Sequence, residues 1–264
     1  MPRPPGTPDA SAPGAPALGA PDSPVQTVVP QERARVPQLT YVRGSVRTLG
    51  ISARCLLSSL TGEDPVKTAD RLIPDWSKGL VRLCGTGLEV SGLENFPHGV
   101  TYVIMTNHCS HLDIPAVIST FPGQLRMIAK QELFHIPVFG QAMLATGFIP
   151  MNRSNREEAI RQLEIARSKL EKGTSIWISP EGTRSRDGKL GPLKKGGFRL
   201  ALSLQVPILP ARITGAFEVL PAGCFSPVQG GQVRVHYLPP ISVAGHTLDT
   251  LPELMAQVEA ALRG

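Results

Sequence analysis

A histidine and an aspartate stand in the run Asn107-His108-Cys109-Ser110-His111-Leu112-Asp113, directly after the apolar stretch 100–106. An aspartate can hold one imidazole nitrogen while the other takes a proton from a substrate hydroxyl, which makes an oriented general base without a protein nucleophile. On one continuous helix these two side chains would lie about 140° apart, because each residue turns about 100°. They meet if His108 lies in a loop and a helix begins near Ser110. Asp113 then falls in the first turn, Ser110-x-x-Asp113 reads as a capping pair, and the helix dipole favours the ionised carboxylate.

A second group of residues suits an anion. Ser179-Pro180-Glu181-Gly182-Thr183-Arg184-Ser185-Arg186 follows the apolar run 174–178, and six basic residues face two acidic ones between Glu181 and Arg199. Glycine lets backbone approach a phosphate, and arginine offers it two parallel donors. The stretch is not a P-loop: five residues separate Gly182 from Gly188, and Leu190 rather than Ser or Thr follows Lys189. It lacks the interleaved aromatics of a nucleic-acid surface until Phe198. Lys130 closes the run 125–129, and Arg153 follows the run 145–149. With Arg184 they place three cations at the sheet edge that carries His108. A fourth stretch, Val206-Pro207-Ile208-Leu209-Pro210, reads as a strand whose prolines disfavour regular central pairing, so it is a pocket wall or an edge.

Two other chemistries use the same residues. Cys109 beside His108 suggests a thiol nucleophile, but a catalytic base is normally remote in sequence from its cysteine. His108, His111 and Asp113 suggest a metal, but ligands packed into so short a stretch rarely complete a site, and no second cluster is evident.

These residues need a scaffold. Apolar runs at 100–106, 125–129, 145–149, 174–178, 206–213 and 232–238 alternate with helix patterns. The clearest helix runs from Arg156 to Lys172, with Ser154-x-x-Glu157 as a capping box, Ile160, Leu163, Ala166 and Leu170 as its apolar face and Gly173 as its stop. A last helix starts near Thr250. The pattern predicts an α/β fold with a mixed, largely parallel sheet flanked by helices, in which ligands sit beyond the carboxyl ends of strands. Upstream, Val42, Val46, Leu49, Ala53, Leu56, Leu57 and Leu60 share one side of a helix, with Arg43, Arg47 and Arg54 beside them. An interfacial helix and a helix packed on the core both fit this pattern. A second helix spans 65–84, with breaks expected at Pro74 and Gly79.

The chain has 264 residues, 41% hydrophobic residues and a formal net charge of +6. Residues 1–35 add nothing to that charge, since Arg3, Arg33 and Arg35 offset Asp9, Asp22 and Glu32. The excess suits phosphates or an anionic bilayer. Residues 1–35 are rich in Pro and Ala and are expected to be disordered. The chain shows no signal-peptide h-region and no run near the ~18 apolar residues of a membrane span. Four scattered cysteines without a CxxC pair favour reduced thiols and a cytosolic setting.

Taken together, 107–113, 147–153, 180–185 and 206–210 resemble the four ordered blocks of the glycerolipid acyltransferase superfamily, bacterial 1-acyl-sn-glycerol-3-phosphate acyltransferases in particular. The similarity spans roughly residues 85–240, which implies a tail at 1–35, a helical segment suited to a membrane interface at 36–84 and an α/β acyltransferase domain at 85–264. The resemblance implies that His108 is the general base and Asp113 its orienter. It implies that Glu181, Gly182, Thr183 and Arg184 bind the acceptor, with Arg153 and Lys130 assisting at its phosphate. Where the family usually has an acidic residue before the second-block arginine, this chain has Asn152. The implied reaction moves an acyl group from acyl-CoA or acyl-ACP to a lysophosphatidate-type acceptor, with no metal and no cofactor. Other lyso-lipids and glycerol 3-phosphate are alternative acceptors, and a non-catalytic lipid-binding module is the alternative of a different class. The implied partners are the lysophospholipid, the acyl carrier and a membrane surface, with no nucleic acid. The implied place is peripheral, on the cytoplasmic side of a membrane.

Overall fold

The computed structural model describes residues 35–152 and 156–264; residues 1–34 of the expected tail, Arg153 and Ser154 of the expected capping box lie outside the described residues. Helices α1 (Gln38–Leu60) and α2 (Pro65–Leu83) come first. Then follow β1 (Gly87–Ser91), β2 (Val103–Thr106), α3 (Asp113–Thr120), β3 (Leu125–Lys130), α4 (Phe139–Ala145), β4 (Ile149–Met151), α5 (Arg156–Glu171) and β5 (Ser175–Ile178). The chain continues through α6 (Lys195–Leu204), β6 (Ile208–Thr214), α7 (Ala216–Val219), β7 (Gln232–Tyr237) and α8 (Leu251–Arg263).

The strands form one sheet in the order β1-β7-β6-β2-β5-β3-β4. Every pairing is parallel except β6 with β7. Side chains alternate across a strand, so each strand feeds two cores. Ile104, Met127, Trp177, Leu209 and Val235 pack on the face that carries α3. Val103, Met105, Ile176 and Ile208 meet Phe198 of α6 and Leu254 of α8 on the other face.

Several expectations change. The strand expected at 145–149 lies at Ile149–Met151, because Ala145 ends α4. Edge strand β1 carries no apolar run, and Glu89, Val90 and Ser91 are exposed. The stretch 206–210 is no edge: β6 sits inside the sheet, bonded to β2 and β7. Pro210 is tolerated because its missing N–H faces the side on which β7 has already ended, where its carbonyl accepts Leu238 N–H at 2.9 Å. Helix α6 was hidden in a basic, glycine-bearing sequence; Gly197 lets it lie against β2, where a Cβ would stand 3.1 Å from Met105 Cε. Helix α8 begins as expected, but Thr250 Oγ1 accepts Thr247 N–H instead of capping the helix.

Helix α2 runs unbroken through Pro74 and Gly79. An interior proline costs about 3 kcal/mol of helix stability, and tertiary contacts on both sides offset it. Trp76 Nε1 donates to Thr48 Oγ1 of α1 at 3.0 Å. Asp70 pairs at 2.7 Å with Arg126 of β3, which is 4% exposed. Helix α1 turns small and polar residues inward: Ser52, Cys55 and Ser58 are buried, while Val42, Val46, Leu49, Leu57 and Leu60 are exposed. No helix among the described residues is long and apolar enough to cross a membrane.

Candidate active site

The site begins where β2 runs out. Asn107 prolongs the pairing by one residue with its side chain: Oδ1 accepts Ile213 N–H and Nδ2 donates to Ile213 O, each at 2.8 Å. The chain then leaves the sheet at His108. Asp113, wholly buried as the first residue of α3, folds back over the loop. Its Oδ2 accepts His108 Nδ1 at 2.8 Å, Cys109 N–H at 2.8 Å and Ser110 N–H at 2.9 Å. A carboxylate is an acceptor only, so Nδ1 donates its proton to Asp113, and in the neutral ring the lone pair is on Nε2. The imidazole stands edge-on to Trp177, with centroids 5.9 Å apart, and Trp177 is held by a 3.1 Å bond from Nε1 to Thr106 Oγ1.

Helix α3 starts at Asp113, three residues later than the expected start near Ser110. Ser110 Oγ accepts Leu112 N–H at 3.0 Å and donates to Leu220 O at 2.7 Å, so it stitches the loop to the segment after α7. The charged Asp113 side chain is the stronger acceptor and gathers the loop's free N–H groups itself.

The loop after β5 holds His108 by its backbone. Glu181, 4% exposed, accepts His108 N–H through Oε1 and Gly191 N–H through Oε2, each at 2.8 Å. Ser185 N–H donates to His108 O at 2.8 Å. Burial pushes the Glu181 carboxyl above its usual value, and the two backbone N–H bonds oppose the rise. Gly182 turns the loop at φ 72°, a region that disfavours side chains. Thr183 is exposed. Arg184 is half-buried, and its Nη1 is buried without a protein acceptor. Lys130 ends β3 in an exposed 2.9 Å pair with Glu132. The structure thus brings His108, Asp113, Glu181 and Arg184 into one neighbourhood, while Lys130 is engaged at the surface.

His111, which the sequence offers only as a metal ligand, has a different setting in the structure. It borders a partly open apolar cavity of about 250 Å³ between α1, α2, α3 and α4, with Ile51, Ile73, Ile114, Met143 and Phe148 among its walls. Its ring stacks on Phe225 at 6.3 Å, and Phe225 meets Tyr41 of α1 edge-on at 5.5 Å. More than a third of the residue is open to solvent, but protein crowds the rest. That crowding, with Arg184 and His108 nearby, pushes the His111 imidazole down to about 4. No signal in the sequence marks this cavity, because four separate helices wall it. Cys109 is buried, and burial with the neighbouring carboxylates pushes its thiol up to about 12, which leaves no thiolate for a nucleophile. Among the described residues no group of three or more His, Cys, Asp or Glu is arranged to hold a metal.

A family model described as "Acyltransferase" matches residues 87–214. Human 1-acyl-sn-glycerol-3-phosphate acyltransferase alpha is 34% identical over 181 residues, covering 68% of this chain and 64% of that protein. The chloroplastic 1-acyl-sn-glycerol-3-phosphate acyltransferase BAT2 of Brassica napus is 39% identical over 155 residues, covering 58% of this chain and 44% of that protein. The chain thus spans less than two thirds of the length of these relatives. The crystal structure of the 1-acyl-sn-glycerophosphate (LPA) acyltransferase PlsC from Thermotoga maritima superposes with a TM-score of 0.73 at 27% identity, covering 86% of this chain and 91% of that one.

Proposed function

This chain belongs to the glycerolipid acyltransferase superfamily, and from that premise we propose that it transfers a fatty acyl group from an acyl-CoA or acyl-ACP thioester to the free hydroxyl of 1-acylglycerol 3-phosphate, giving phosphatidate. The observation that carries this reading is the 2.8 Å bond from His108 Nδ1 to Asp113, which leaves Nε2 as a free base. Nε2 takes the hydroxyl proton as the oxygen attacks the thioester carbonyl, and Asp113 balances the imidazolium that forms. The C–O bond forms, the C–S bond breaks, and the proton passes from His108 to the departing thiolate. A thiol is a far stronger acid than an alcohol, so that departure needs little help. The reaction as drawn uses neither metal nor cofactor.

Arg184 is assigned the acceptor phosphate, which its unpartnered Nη1 supports. Arg153, which lies outside the described residues, and Lys130 are assigned to assist at that phosphate, and Gly182 and Thr183 to line the acceptor side. Glu181 contributes by holding the His108 backbone. The apolar cavity behind His111 suits an acyl chain. We assign residues 36–84 to membrane contact and 85–264 to catalysis, with the protein peripheral on the cytoplasmic side. The exposed apolar stripe of α1 supports that contact.

The test is purified protein with radiolabelled palmitoyl thioester and a panel of lyso-lipids and glycerol 3-phosphate, with products separated by chromatography. Labelled phosphatidate is the expected product. His108→Ala is expected to lower kcat by about 10²–10⁴ with the thermal unfolding midpoint retained. Turnover retained in the folded variant would defeat the assignment.

A further inference from the structure

A second concavity, of about 500 Å³, lies at the seam of α1 and α2 and is lined by Arg47, Asp75, Lys78, Gly79, Arg82 and Leu83. Among the described residues, none of its three cations forms an ion pair with a carboxylate, and all three are exposed. Arg47 makes one long contact, 3.5 Å from Nη2 to Asp75 O. Its guanidinium lies across Gly79 so closely that a Cβ there would stand 2.7 Å from Cζ. Glycine lowers helix propensity by about 1 kcal/mol relative to alanine, and here it gives the arginine room to reach over α2.

The position of this concavity narrows its ligand. Around α1, at about 100° per residue, Arg43, Arg47 and Arg54 lie between the packed side and the exposed stripe of Val42, Val46 and Leu49. A group seated there meets cations at the seam and apolar surface beside it. That pairing suits an amphiphile with an anionic head. Three cations against one carboxylate favour a phosphate over a neutral head.

We propose that the α1–α2 seam is a seat for the phosphate of an anionic bilayer phospholipid, separate from the acceptor site at Arg184. This rests on the reading of α1 as facing the membrane. The seat orients the helix pair on the surface, so that the mouth of the apolar cavity faces the lipid that supplies the acceptor.

The test is vesicle flotation of the full chain, with phosphatidylcholine vesicles prepared with and without phosphatidylglycerol. Lys78→Gln combined with Arg82→Gln is expected to weaken binding to the phosphatidylglycerol vesicles about 30-fold and to leave binding to pure phosphatidylcholine unchanged. Arg167→Gln combined with Lys172→Gln removes the same charge at the C-terminal end of α5 and just beyond it, and is expected to leave both unchanged. Full retention by the first variant, or equal loss in both, overturns the seat in favour of diffuse attraction. Turnover of a short-chain acceptor free in solution is measured alongside. Its absence in the unaltered protein would sink the catalytic reading and leave the flotation result standing.

Discussion

Three donors converge on a single oxygen of Asp113, and one loop far away in sequence, the one after β5, holds both the N–H and the carbonyl of His108. The imidazole is thereby fixed by its ring and by its main chain. Glu181 supplies the main-chain support and ties it to Gly191 of its own loop. In Glu181→Gln the amide can accept only one of the N–H groups of His108 and Gly191 and turns its NH2 toward the other. Leaving a buried donor unmet costs about 1–3 kcal/mol. That predicts a thermal midpoint lower by several degrees, at about 2–4 °C per kcal/mol, together with a loss in kcat, both read on the purified variant. His111 gives a second prediction. Its folded value of about 4 lies below the ordinary 6.5, so between those pH values the unfolded chain binds more protons. The stability tied to its neutral ring is full above the ordinary value and is lost as pH falls toward the folded one. His111→Gln is expected to flatten the fall in urea-unfolding stability between about pH 7 and pH 5, and an unchanged slope would refute the crowded, neutral ring.

At the scale of elements, α1 is the one whose role its sequence left undecided. Its periodicity gives two faces, and only packing says which of them meets protein. The structure puts Ser52, Cys55 and Ser58 inside and Val46 and Leu49 outside, at 63% and 43% exposure. Val46→Asp combined with Leu49→Asp should therefore leave the unfolding midpoint nearly unchanged, within the ±0.5 kcal/mol or so typical of surface positions. The same variant should lose vesicle binding in flotation. A collapse of stability would mean that the stripe is packed after all. Helix α3 shows the opposite case. Its first turn is legible because His108, Ser110 and Asp113 are local to one loop; the helix starts three residues later than the spacing suggests, and Asp113 gathers the loop N–H groups in place of a serine cap.

For the whole molecule, the sheet separates two duties. The face with α3 carries the cavity and the His108 loop, while α5, α6 and α8 close the other core. Leu254 of α8 is fully buried there. Leu254→Ala should cost about 2–5 kcal/mol of stability in denaturant unfolding and leave the acceptor KM unchanged, because the lost volume lies across the sheet from the site. The sequence by itself determined the alternation of strands and helices, the basic loop after β5 and the pairing of His108 with Asp113, since each depends on residues within one turn or one period of each other. Tertiary structure decided that β6 lies inside the sheet, that Glu181 grips His108 across 73 positions, that α1 shows its apolar side to solvent, and that four helices wall a cavity bordered by His111. These depend on which segments become neighbours, and local periodicity and spacing carry no record of that choice.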